Sequence, residues 1–198
     1  MIETRDPTTR ELNQEILTCV KCRLSFGRNH AVPGEGPVPA RVLMVGEAPG
    51  EREDAVGRPF VGRAGAILQE LLASIGLSRD DVYITSIIKC RPPKNRDPRD
   101  DEIAACRPYL GRQIILIRPS VIVSMGRLST REMARRFGIP EGQISDMHGQ
   151  VYTGQTSWGQ ILILPVYHPA VITHNPNLRP ALFDDFIRLG ELLDSIRR

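Results

Sequence analysis

The chain has 198 residues, 41% of them hydrophobic and 25% charged, with a formal net charge of +3 at pH 7. That length supplies one full hydrophobic core and no Pro-, Gly- or Ser-rich linker divides it, so one domain over residues 1–198 is expected. The polar start MIETRDPTTRELNQ does not read as a secretory leader, and runs such as Ile161 to Val166 are too short to span a bilayer. The expectation is a soluble cytoplasmic monomer, in a reducing setting and without a membrane partner.

Taken in chain order, Thr8 to Val20 places Leu12, Ile16 and Leu17 on one side of a helix that runs into Cys19-x-x-Cys22. An irregular stretch follows, with Pro33, Gly34, Gly36, Pro37 and Pro39. Val42 to Val45 reads as a buried strand that breaks at Gly46. After a glycine-rich loop, Ala64 to Ile75 is an amphipathic helix through Ile67, Leu68, Leu71 and Leu72, ended by Gly76. Val82 to Ile88 is the second strand. Asp100 to Ile117 is helical, with Pro108 expected to kink or divide it. Val121 to Met125 is the third strand, followed by a helix to about Phe137. Residues 138–159 are glycine-rich, with a short hairpin expected around Val151 and Tyr152. Ile161 to Val166 is the fourth strand and Ala181 to Ile196 the last helix. Short apolar strands alternating with helices predict an α/β fold with a parallel sheet covered on both faces.

In such sheets ligands bind beyond the carboxyl ends of the strands. The first strand ends in Gly46-Glu47-Ala48-Pro49-Gly50, the second at Ser86, and the fourth in Tyr167-His168-Pro169-Ala170. These polar groups are expected on one rim. The loop from Gly46 to Gly65, GEAPGEREDAVGRPFVGRAG, lacks the Gly-Lys-Ser/Thr ending of a P-loop and the GxGxxG of a dinucleotide fold, and its acids would repel phosphates. A flat, neutral ligand suits it better. Phe60 reads either as a core aromatic or as a platform for a planar base. His168 reads either as structural or as a catalytic group beside Glu47, and His30, His148 and His174 are assigned no role.

The four cysteines are Cys19, Cys22, Cys90 and Cys106. Four soft thiolates with none left over suit one tetrahedral site, holding an iron–sulfur cluster or zinc. Two disulfides, or four unrelated thiols, are the rival readings. Lys89, Arg91, Lys94, Arg96 and Arg99 crowd into one stretch that either attracts phosphates or is a solvated loop.

In order along nearly the whole chain, CxxC, VPGEGP, GEAPGEREDAVGRPFVGRAG, KCRPPKNRDP, the fourth cysteine and YHPA together resemble a family 4 uracil-DNA glycosylase. The resemblance implies a three-layer α/β/α fold on a four-stranded, mostly parallel sheet, and release of uracil from DNA as free base. It implies a 4Fe–4S cluster on Cys19, Cys22, Cys90 and Cys106. It places Gly46, Glu47 and Ala48 beside base and sugar, Phe60 on the base face and His168 at the uracil O2, with Glu47 and His168 as catalytic groups. Val171 and Asn175 correspond to the loop that enters the minor groove. Arg91, Lys94, Arg96 and Arg99 are expected to hold DNA phosphates. One position departs: the family usually has asparagine where this chain has Ser86, and a hydroxyl has a single proton to offer the base edge. Altered base specificity is therefore one alternative, and a non-catalytic sensor of uracil or damaged DNA another. A covalent DNA-trapping relative would carry a histidine in the loop after the second strand, which here reads KNRDPRD.

Overall fold

Residues alternate between two cores along the strands. Val42 and Met44 of the first strand face one core, and Leu43 and Val45 face the other. A sheet with apolar residues on both faces must be covered on both, and helices do so here. The computed structural model describes residues 7–196; residues 1–6, which begin the polar N-terminal stretch, and residues 197–198 lie outside the described part. The strands are β1 (Val42–Gly46), β2 (Tyr83–Ser86), β3 (Val121–Met125), β4 (Tyr152–Thr156) and β5 (Gly159–Val166). The helices are α1 (Pro7–Leu17), α2 (Glu51–Val56), α3 (Arg63–Ser74), α4 (Asp100–Ile117), α5 (Arg127–Phe137), α6 (Ile144–Met147), α7 (Val171–His174) and α8 (Arg179–Ile196).

The sheet order is β2-β1-β3-β5-β4, with β2, β1, β3 and β5 parallel and β4 antiparallel to β5. Residues of α1, α4 and α5 fill one core, and residues of α3 and α8 fill the other. The layering matches the three-layer α/β/α expectation, but the sheet has five strands rather than four. The hairpin expected near Val151 and Tyr152 supplies the fifth as an edge strand. An edge strand needs no continuous apolar run: only Gly154 of β4 is buried, so its local pattern carried little strand signal.

Two other expectations change in detail. The α4 helix runs unbroken through Pro108. An interior proline costs about 3 kcal/mol, and the burial of Ile103, Cys106, Leu110, Ile114 and Ile117 along one side offsets that cost. The loop after β1 contains a helix, α2, too short and too acidic to show an apolar period. Beyond Ser86 the chain stays beside the end of β1, with Ile87 N donating to the Gly46 carbonyl (3.0 Å) and Ile88 N to that of Glu47 (3.3 Å). Among the described residues no helix is long and apolar enough to cross a membrane.

Candidate active site

The carboxyl ends of β1, β2 and β5 open into a cavity of about 390 Å³ whose wall includes Glu47, Ala48, Phe60, Ser86 and His168. Of the residues that the sequence placed on one rim, the fold brings Glu47, Ala48, Ser86, His168 and Ala170 to this cavity, whereas the Tyr167 ring packs against His148. Gly46 is their neighbour in the sheet, in register with Ser86 across β1 and β2.

His168 follows β5 in a tight turn. The backbone N–H of Ala170 donates to its Nδ1 at 3.2 Å. A ring nitrogen that accepts carries no proton, so in the neutral ring the proton sits on Nε2. Burial pushes the His168 pKa down to about 4. The residue is therefore a neutral donor throughout the physiological range. Its ring stacks against Phe60, with centroids 5.7 Å apart and planes at 27°.

Glu47 lies on the same wall. Its Oε1 accepts from Leu128 N at 2.8 Å, in the first turn of α5. A β-carbon on Gly126 would stand 2.6 Å from that oxygen and 3.1 Å from His168 Cβ, so the Glu47 carboxylate and the root of the His168 side chain flank one point. Burial raises the Glu47 pKa, against the lowering effect of the Leu128 N–H, with Asp97 adding to the rise and Arg127 opposing it. Phe60 is buried and has φ +51°. That left-handed conformation costs an aromatic residue about 1 kcal/mol and must be held by its surroundings.

The basic stretch divides. Lys89 is 2% exposed, and its Nζ donates to Thr85 Oγ1 (2.6 Å), the Ser86 carbonyl (2.6 Å) and Gln113 Oε1 (2.7 Å). It is an internal brace rather than a phosphate contact, a placement the run of charges concealed. Arg96 is engaged by the buried Glu102 through two bonds of 2.8 and 2.6 Å. Arg91 donates to Asn95 Oδ1 at 2.8 Å, while Lys94 and Arg99 are exposed. Val171 begins α7 and Asn175 follows it, half-buried and exposed respectively.

Sequence reasoning missed Glu53, Asn95, Asp97 and His174, which also line the cavity. Glu53 was one of the acids of the glycine-rich loop. Its carboxylate accepts from the backbone N–H groups of Gly50 (3.1 Å), Val61 (2.8 Å) and Gly62 (2.8 Å). An acid amid glycines whose amides need acceptors was the available signal. His30 instead holds α2: its backbone N–H and that of Asn29 point at the buried Asp54 carboxylate.

No disulfide joins any of the four cysteines, and all four line one small cavity of about 20 Å³ with Ile16, Arg28, Lys89 and Tyr109. Arg28 Nη1 donates to Cys90 Sγ at 3.1 Å. Among the described residues no group of three or more His, Cys, Asp or Glu side chains stands at the spacing of a single bound ion. Four sulfurs are the soft donors around the cavity, and three cationic side chains, Lys21, Arg28 and Lys89, also line it. That chemistry fits an anionic thiolate-held cluster.

The five-stranded α/β/α fold, with its cavity at the strand ends, defines a class. The sequence profile of the Uracil DNA glycosylase superfamily matches residues 33–189, and the chain belongs to that superfamily. Its similarity to type-4 members covers nearly the whole chain. It is 47% identical over 189 residues to the type-4 uracil-DNA glycosylase of Sulfurisphaera tokodaii, covering 95% of this chain and 86% of that one. It is 45% identical to the type-4 enzyme of Archaeoglobus fulgidus, over 92% of both chains. The type-5 uracil-DNA glycosylase of Pyrobaculum aerophilum is less similar, at 34% identity over 73% of this chain and 67% of that one.

Proposed function

We propose that the chain, as one glycosylase domain, removes uracil from DNA by hydrolysing the bond between base and sugar. It releases free uracil and leaves an abasic site. The observation that carries this is His168, a neutral imidazole with its Nε2 proton available in a cavity that Phe60 and Ser86 share.

Uracil in a duplex is stacked, so the nucleotide must swing out before reaction. The exposed Lys94 and Arg99 and the half-buried Arg91 hold backbone phosphates, with Val171 and Asn175 in the neighbouring groove. Arg96 contributes through the loop that its pairing with Glu102 stiffens. Phe60 covers the base face. As the glycosidic bond breaks, uracil gains negative charge and the sugar positive charge. The Nε2 proton of His168 meets the growing charge on the uracil O2, an interaction stronger in the transition state than in the ground state. Glu47, held by Leu128 N, is the anion that stabilises the cationic sugar or orients the attacking water. The four thiolates of Cys19, Cys22, Cys90 and Cys106 would hold a 4Fe–4S cluster. When bound, it supplies a structural clamp between the N-terminal segment and the 90–106 loop.

The test is a base-release assay on oligonucleotides carrying U·G, U·A and single-stranded U, with C·G and hypoxanthine controls. Free uracil and an abasic site are expected. Retention of uracil DNA without release would instead make the protein a sensor. In the same assay Ser86→Asn is expected to preserve or raise uracil release, since an amide offers the base edge both a donor and an acceptor. A large loss would give the Ser86 hydroxyl a role of its own.

A further inference from the structure

The VPGEGP segment and Arg79 have no part in the chemistry above, yet they meet beside Phe60. The segment lies against the free edge of β2: Glu35 N donates to the Ile84 carbonyl (3.0 Å), and Ile84 N donates to that of Glu35 (2.7 Å). A β-carbon on Gly36 would stand 2.3 Å from the Val82 carbonyl oxygen, so the backbones can lie this close only with glycine there. Gly34 and Gly36 have φ of +129° and +140°. Glu35, locked between them, directs its carboxylate at two guanidinium groups. Arg58 donates through Nε (2.7 Å) and Nη2 (3.1 Å), and Arg79 through Nη2 (2.6 Å). Burial works to raise the Glu35 pKa, but these bonds outweigh it and hold the group below the usual carboxylate range.

Arg79 then reaches the aromatic. Its Nη1 donates to the Phe60 carbonyl (2.8 Å), and its Nη2 also donates to the Pro59 carbonyl (2.7 Å). From the other side Glu53 holds Val61 N and Gly62 N, both at 2.8 Å. Four consecutive residues, Pro59 to Gly62, are thus gripped by one cation and one anion, at the point where Phe60 has φ +51°. The opposite flank leaves no slack, since a β-carbon on Gly65 would stand 1.8 Å from the Phe60 carbonyl oxygen. An aromatic in a disfavoured backbone conformation, its carbonyl pinned by a guanidinium whose carboxylate is itself locked to a strand edge, is held in place rather than merely packed.

We infer that Arg79, anchored by Glu35 of the VPGEGP segment, is a positioning residue that fixes Phe60 in the orientation that receives the flipped base. This rests on the proposal that Phe60 stacks on uracil. The clamp and that proposal are separable by experiment. With 4-fluorophenylalanine at all five phenylalanines, the Phe60 resonance, assigned from Phe60→Leu, is expected to shift and broaden in Arg79→Met. Lys is a partial substitute, because one ammonium cannot span both carbonyls and Glu35 with a planar fork, so Arg79→Lys should fall between. Glu35→Gln provides a second, gentler variant with the same shape. An unchanged Phe60 resonance in Arg79→Met overturns the clamp.

In single-turnover excision, Arg79→Met is expected to lose about tenfold, on the scale of one base–aromatic stacking contact. In a Phe60→Ala background the same change should lose less than about twofold, since groups acting through one another are not additive. The salt dependence of DNA binding should stay unchanged in Arg79→Met. Equal losses in both backgrounds, or a shallower salt slope, would assign Arg79 to DNA contact or to general stability and overturn the inference. A moved Phe60 resonance with intact excision would leave the clamp standing and remove Phe60 from base recognition.

Discussion

Replacing His168 by alanine is expected to slow uracil release by at least about a hundredfold in single turnover, the cost of losing one donor to a developing oxyanion. The expectation follows from two features. Ala170 N occupies Nδ1 and so commits the ring proton to Nε2, and burial keeps the ring uncharged down to about pH 4. DNA binding should change little, because the lost interaction grows only as the bond breaks. Near-normal turnover in the variant would remove His168 from the mechanism.

The same geometry sets the pH dependence. A histidine active in its neutral form, with its pKa near 4, leaves no titration around its ordinary 6.5. In the proposed mechanism Glu47 acts as an anion, so the acid limb of kcat/KM should belong to it. Burial raises the Glu47 pKa, so activity should begin to fall at a higher pH than an ordinary carboxylate would dictate. Glu47→Gln should lower the rate and abolish that limb. A limb centred near 6.5 that survives in Glu47→Gln would assign it to a histidine instead. Stability follows the depressed His168 value: its contribution is fully present above the unfolded value of 6.5 and is lost as pH falls toward about 4, because only the unfolded chain readily takes the proton.

Cys106→Ala should have the largest effect on stability. Cys106 lies on α4 and Cys90 follows β2, whereas Cys19 and Cys22 follow α1, so the sulfur-lined cavity ties three parts of the chain together. Metal held by cysteines in the folded state contributes its binding free energy to folding, and several kcal/mol is a modest share of it. A protein of this size would then melt at least about 10 °C lower. Iron content and visible absorbance should fall together, and DNA affinity should weaken as the loop from Cys90 to Cys106 loses its fastening. Cys106→Ser, which keeps the shape, should behave alike if ligation rather than packing is responsible. Intact DNA affinity in an iron-free variant would refute the bracing role, and zinc without iron in the unaltered protein would reassign the site.

Much of this was legible in local pattern. Val42 to Val45 is apolar at every position, and Val121 to Met125 at every position but Ser124, because both sheet faces are covered, and that needs no partner to recognise. Polar groups just past the strand ends marked the rim where Glu47, Ser86 and His168 meet. The edge strand β4 left little trace, since only one of its residues is buried.

What the sequence determined by itself was the alternation of strands and helices, the rim, and the inventory of thiols. Tertiary structure decided which charges work and which merely hold. Lys89 and Lys94 stand five residues apart in one basic stretch, yet the first is sealed against Thr85, Ser86 and Gln113 and the second is exposed. Glu35 and Arg79, 44 residues apart, meet only once β2 is paired along its edge. A charge has the same identity in any sequence context, but its chemistry depends on the groups and solvent around it, and those are supplied by residues distant in the chain.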